Sequence, residues 1–168
     1  LFVVVISVLI GVPVGALAGY YGGKLDSILM RVTDAFLSLP SFLVLILLSA
    51  ILREVEIPLF ERNNVLTISL VIGVFAWTTF ARLVRASFLT LRESDFVAAS
   101  RSLGGSDLRV IVRHILPNSV APLFVSVAFG IAGAVLTEAS LSFLGFGDTR
   151  LPSWGEIVNQ GRLYVVGG

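Results

Sequence analysis

Four uncharged runs, residues 1–23, 35–52, 63–81 and 115–137, constrain this chain more than any other feature. At about 1.5 Å of rise per residue they make helices of roughly 27 to 35 Å, which matches the hydrocarbon core of a bilayer. Each is long enough to cross. A chain of 168 residues has no soluble core that could hide all four, and only 14% of it is charged, where about a quarter is usual. Barrel strands are excluded, because they run to about ten residues with strict apolar/polar alternation and these runs do neither. The expectation is an all-α polytopic membrane bundle with four spans in this fragment. Its Val-rich opening LFVVVISVLIGV is a poor helix in water, but in lipid only internal hydrogen bonding satisfies its backbone.

Within the first run Gly11, Gly15 and Gly19 recur at i+4, so they line one side of a helix and admit a neighbour closely. Pro13 is expected to bend that helix. Gly22 and Gly23 then break it, and the segment LDSILMRVTDAFLSLP leads into the second span with a kink at Pro40. The chain opens on Leu without a basic leader and closes on GRLYVVGG, where an apolar run begins, so both ends read as cuts in a longer protein.

The net charge of +1 gives no general attraction to nucleic acid, and the absence of Cys rules out disulfides and thiolate metal sites. The charges are unevenly spread. Residues 82–113 balance at +3, whereas residues 53–64 and the part after Ile115 each balance at −1. Short cytoplasmic loops are enriched in Arg and Lys, which places 82–113 and the turn near Lys24 in the cytoplasm and the 53–64 loop outside.

The cytoplasmic segment LRESDFVAASRSLGGSDLRVIVRHILPNSVAP is too long for a turn and reads as two short helices. In the first, Phe96, Ala99, Ser100 and Leu103 share one face beside Arg92 and Arg101. Gly104 and Gly105 stop it, Ser106 caps the second, and Leu108, Ile111, Val112 and Ile115 form the next apolar stripe. A rigid short helix with small side chains can sit in a groove on another protein and pass displacement to the attached spans. The competing reading is an interfacial element whose arginines reach lipid phosphate.

Other chemistry is thinly represented. His114 is the single histidine, no GxxxxGK[ST] run is present, and the GGS and GFG turns lack the strand context of a nucleotide loop. Glu138 follows an uncharged run and has three readings: a structural carboxylate, a translocation-path residue, or a contact for an external protein. Trp77 and Trp154 are candidate interface anchors, and Asp26 and Asp34 are expected to pair locally with Lys24 and Arg31. A secondary transporter, a channel or a noncatalytic membrane assembly protein are the rival classes.

The run DFVAASRSLGGSDLRVIVRHILPN, with ARLVRA before it, LAGYYGGKLDSILMRVTDAFLSLPSFL upstream and TEASLSFLGFG and LPSWGEIVNQGR downstream, resembles permease subunits of binding-protein-dependent ATP-binding-cassette importers. The likeness is to the C-type subunit of the dipeptide, oligopeptide and nickel group, with its MetI-like transmembrane domain, and it covers nearly all of 1–168. The family signature E-A-A, three residues, G, nine residues, I-x-L-P falls with its Glu on Ala98, its Ala pair on Ala99 and Ser100, its Gly on Gly104, its Ile on His114 and its Leu-Pro on Leu116 and Pro117. Ala98 removes a carboxylate and Ser100 preserves small size. In AWTTFAR, Thr79 stands where Gly is common and Phe80 where Tyr is common.

The resemblance implies that the loop at about 82–117 is a coupling element that docks on an ATPase subunit. It implies a bacterial or archaeal inner-membrane permease with no catalytic residue and no cofactor of its own, ATP and Mg being held by separate subunits. The implied partners are a second permease subunit, two ATP-binding subunits and an extracytoplasmic solute-binding protein, within membrane lipid and without nucleic acid. The implied cargo is a dipeptide or oligopeptide, with a nickel chelate as the alternative.

Overall fold

The computed structural model describes residues 1–54, 64–146 and 153–166, and all of the regular structure there is helical. In chain order the helices are α1 (Phe2–Tyr21), α2 (Gly23–Ser38), α3 (Ser41–Glu54), α4 (Asn64–Leu91), α5 (Asp95–Ser102) and α6 (Asp107–Val110). A π-helical turn (Ile111–Ile115) and α7 (Leu116–Asn118) follow, then α8 (Val120–Phe143) and α9 (Trp154–Val166). Three helices are long and apolar enough to cross a membrane: α1, the Ser69–Leu91 part of α4, and α8. The expected second span is broken. Helices α2 and α3 meet at a 78° bend, at Pro40, whose fixed φ and missing N–H prevent a continuous helix; by length and composition the described residues hold three spans, or four where the bent pair counts as one. Pro13, by contrast, stays inside an unbroken α1.

The close packing of α1 and α4 organises the bundle. Gly11 lies against Trp77 and Phe80, Gly15 against Ala81 and Val84, and Gly19 against Arg85 and Phe88. The numbers rise together, so the two helices run parallel and end on the same side. A Cβ added at Gly11 would meet the Trp77 carbonyl at 2.6 Å and one at Gly19 the Phe88 Cβ at 2.5 Å, distances at which backbone must move. Ser7, fully buried, donates to the Val3 carbonyl at 2.8 Å and also approaches the Gly73 carbonyl at 3.2 Å, which satisfies a hydroxyl that lipid could not.

Two apolar clusters mark the ends of this pair. One, at the C-terminal ends of α1 and α4, holds Ala16, Tyr20, Val84 and Phe88 together with Val97, Val110 and Ile115. The other, at the opposite end, holds Val3, Leu45, Val71, Ile72 and Leu141. Trp77 is buried and meets Phe36 edge to face at 5.5 Å between ring centres, so it packs in the bundle; Trp154 is largely exposed. Helix α8 stands apart, with only Leu141 and Ser142 buried.

Candidate coupling site

Between α4 and α8 the chain folds back under the C-terminal end of α1. Helix α5 turns Val97 inward, fully buried, and leaves Ala98 and Ala99 exposed and Ser100 half-buried. The face Phe96, Ala99, Ser100 and Leu103 therefore points away from the bundle. It borders an open groove of about 460 Å³ whose other side is Gly105, Arg109, Arg113 and His114. Leu103, 88% exposed, projects at its rim.

The corner between α5 and α6 is a glycine-dependent helix stop. The Gly105 N–H reaches the Ser100 carbonyl at 2.9 Å and the Gly104 N–H the Arg101 carbonyl at 2.9 Å, the paired bonds of a Schellman motif. Gly104 has φ +79°, which side chains with a Cβ rarely adopt. Gly105 has no room, since a Cβ there would lie 2.7 Å from the Ser100 carbonyl.

The second loop helix departs from the expected stripe. Val110 and Ile115 are fully buried, Ile111 is half-buried, and Leu108 and Val112 are exposed. The wide turn Ile111–Ile115 is the cause, because i→i+5 winding brings positions five apart onto one side. It sits just before Pro117, which has no N–H to offer the Arg113 carbonyl one turn back. Leu116 is half-buried and Pro117 exposed. Ser106 occupies the position before α6, yet its side chain makes no capping bond; its carbonyl accepts from the Val110 N–H at 3.0 Å instead.

Beside the apolar packing, three polar or cation–π contacts tie the loop to α1 among the described residues. The Tyr20 hydroxyl donates to Asp107 Oδ1 at 2.6 Å, the Arg101 guanidinium lies 5.3 Å from the Tyr20 ring centre, and Arg92 Nη1 donates to the Gly19 carbonyl at 3.1 Å. The hydrogen bond with the Tyr20 hydroxyl raises the pKa of the Arg101 guanidinium. The loop is thus fastened to α1 as well as to α4 and α8.

Asp26 and Asp34 do not pair within α2. Asp26 takes a two-pronged ion pair from Arg85, with Nη2 to Oδ2 at 2.6 Å, and Asp34 takes one from Arg82. Asp26 and Arg31 are five apart, a poor spacing on one helix, and although Arg31 and Asp34 stand at a workable i, i+3, Asp34 pairs across the helices with Arg82 instead. The readable signal was on α4, where Arg82 and Arg85 share a face at i, i+3.

Glu138 lies at the end of α8 remote from the loop and accepts a hydrogen bond from the buried Ser142 hydroxyl one turn on. Beyond it, Gly145 at φ +85° closes α8, with the Phe146 N–H on the Leu141 carbonyl at 2.9 Å. Most of the charged 53–64 segment, and residues 147–152, lie outside the described residues.

Residues 11–167 match the family described as binding-protein-dependent transport system inner membrane component, and the chain belongs to that family. More particularly, it is similar to a putative peptide transport system permease protein of Brucella suis, 45% identical over 99% of this chain and 53% of the relative. It is also similar to a glutathione transport system permease of Pectobacterium atrosepticum, 35% identical over 99% of this chain and 52% of that protein. A third relative is a dipeptide transport system permease of Alkalihalophilus pseudofirmus, 35% identical over 98% and 51%. The chain spans about half the length of these curated relatives.

Proposed function

We propose that this chain is the core of a permease subunit that forms part of the translocation pathway for ATP-driven import of dipeptides or oligopeptides, with ATP hydrolysed on separate subunits. The observation that carries the reading is the outward groove of the 82–117 loop. One wall is the partly apolar face Phe96, Ala99, Ser100 and Leu103, the other carries Arg109 and Arg113, and its back is packed through Val97, Val110 and Ile115 onto the α1–α4 pair. A partner seated there pushes on spans rather than on a slack loop.

In this reading Ala98, Ala99, Ser100 and Gly104 form the docking surface for an ATP-binding subunit, and Leu116 and Pro117 form the stiff return into α8. The Gly11, Gly15 and Gly19 seam keeps α1 and α4 moving as one body. The apolar outer face of α8, with Phe124, Phe129 and Leu136 each about two-thirds or more exposed, suits a second permease subunit. Glu138 serves as a structural carboxylate at the external end, near the path. Peptide cargo is taken from the peptide, glutathione and dipeptide names of the relatives; an extracytoplasmic solute-binding protein delivers it, and the loop faces the cytoplasm. Reconstituting the full-length permease with its co-purifying partners tests this: peptide uptake dependent on ATP is expected. Uptake of a nickel chelate in place of peptide, or uptake without any ATP-binding partner, would overturn it.

A further inference from the structure

Helix α2 has two acids and two bases, Asp26, Asp34, Lys24 and Arg31, and as sequence it is neutral. The fold separates them. Both carboxylates are taken by arginines of α4, whereas Lys24 and Arg31 are exposed and make no ion pair among the described residues. Lys24, Ile28 and Arg31 fall at i, i+4 and i+7, and Leu25, Ile28 and Val32 at i, i+3 and i+7, so the two sets share one side of the helix. Leu25, Ile28 and Val32 are all exposed, Ile28 by 61%. The inward side carries Asp26, Leu29, Met30 and the buried Thr33.

The result is a strip that is apolar along its middle and cationic at two points, at the end of the bundle where α1 stops and the loop begins. Hydrocarbon is a poor solvent for Lys24 and Arg31, and water is a poor one for Ile28 beside Val32. The boundary of a leaflet satisfies both, because long cationic side chains reach out to headgroups while the apolar residues stay among acyl chains. Two unopposed cations favour an anionic headgroup over a zwitterionic one. We propose that this strip of α2 binds anionic phospholipid, with headgroup phosphates at Lys24 and Arg31 and an acyl chain along Ile28 and Val32. The ion pairs to Arg82 and Arg85 are what make the site: they withdraw the two negative charges that would otherwise cancel it. The inference rests on the chain spanning a membrane and is independent of what is transported.

The test uses the full-length permease with its co-purifying partners, in nanodiscs of phosphatidylcholine alone or with about one-fifth phosphatidylglycerol. Native mass spectrometry then counts phosphatidylglycerol retained on the complex. Lys24→Gln and Arg31→Gln are each expected to lower retention about five-fold, which corresponds to about 1 kcal/mol per cation at an anionic surface. The pair Lys24→Arg with Arg31→Lys is expected to retain the lipid, and added salt to release it. Equal retention by wild type and the double Gln variant would overturn the proposal. So would a double Gln variant that keeps its lipid but sheds a protein subunit, which would show that a protein occupies the strip.

Discussion

Tyr20, at the cytoplasmic end of α1 in the proposed orientation, and Asp107, 87 residues later in the loop, meet hydroxyl to carboxylate at 2.6 Å. The bond joins the loop to a span with which it shares no direct chain connection. Arg101 stacked on the same ring places both loop helices on one aromatic side chain. In the proposed coupling role, movement imposed on α5 or α6 would reach α1 directly through these contacts, and α4 through the glycine seam.

Replacing Tyr20 with Phe keeps the ring, the packing and the Arg101 stack but removes the bond to Asp107. Asp107 is exposed, so water can take over; the expected loss is about 0.5–1.5 kcal/mol of loop attachment. Insertion and subunit assembly are expected to be normal, while the ratio of substrate transported to ATP hydrolysed falls. An unchanged ratio in reconstituted complexes would show that the bond carries no coupling.

Gly15 has no space for any side chain, because a Cβ there would strike the Ala81 carbonyl and lie 2.9 Å from the Val84 Cβ. Gly15→Leu is expected to drive α1 from α4 and cut the yield of assembled complex several-fold; Gly15→Ala is expected to do so less. Gly133→Ala is the control, since nothing lies within 4 Å of a Cβ there. Comparable yields for Gly15→Leu and Gly133→Ala would disprove the tight seam.

Parallel packing of α1 and α4 makes a topological statement independent of charge counting: the α1–α2 turn and the loop share a side. Cysteines placed at Gly23 and at Ser106 are expected to react together from the cytoplasmic face and one at Asn159 from the other. Opposite accessibility of Gly23 and Ser106 positions in sealed vesicles would contradict the helix directions themselves.

How far these features were legible differs with their physical origin. Span positions follow from runs of apolar residues, and the Gly11, Gly15 and Gly19 spacing identified the small-residue face because a helix repeats by geometry alone. The loop's two helices and glycine corner were legible for the same reason. Its buried side was not: the period grouped Phe96, Ala99, Ser100 and Leu103 on one face, which is exposed or half-buried, but gave no sign that Val97 is the residue packed inward. An outward stripe can be apolar too, so period alone cannot tell an inner face from an outer one. The Ile111–Ile115 π-turn was hidden because it changes the helical period on which the stripe was counted. The Asp26–Arg85 and Asp34–Arg82 pairs were missed because they join helices 59 and 48 residues apart, and charge pairing over such separations depends on the tertiary arrangement.

The coupling assignment itself is exposed at Gly104 and Ala99, which fail in different ways. Gly104 sits at φ +79° with nothing within 4 Å of a Cβ, so Gly104→Val meets no clash and acts through the backbone alone, at about 1–2 kcal/mol or more for a β-branched residue held there. Relief of that strain unwinds the Schellman corner and changes the angle between α5 and α6. Ala99→Glu leaves the fold intact because Ala99 is exposed on the groove wall; it adds bulk and a carboxylate that a seated partner can accept only if water or a cation follows it. Both variants are expected to reach the membrane at normal levels and to weaken capture of the ATP-binding subunit. The Ala99→Glu defect is expected to vary with ionic strength and the Gly104→Val defect to be insensitive to it, because one is a matter of charge and the other of shape. Co-purification and uptake measured on the same complexes across a salt series check this. Normal capture and uptake by both variants would remove the groove from the docking surface, and a matching loss of membrane expression would identify the loop as an interfacial element packed on lipid.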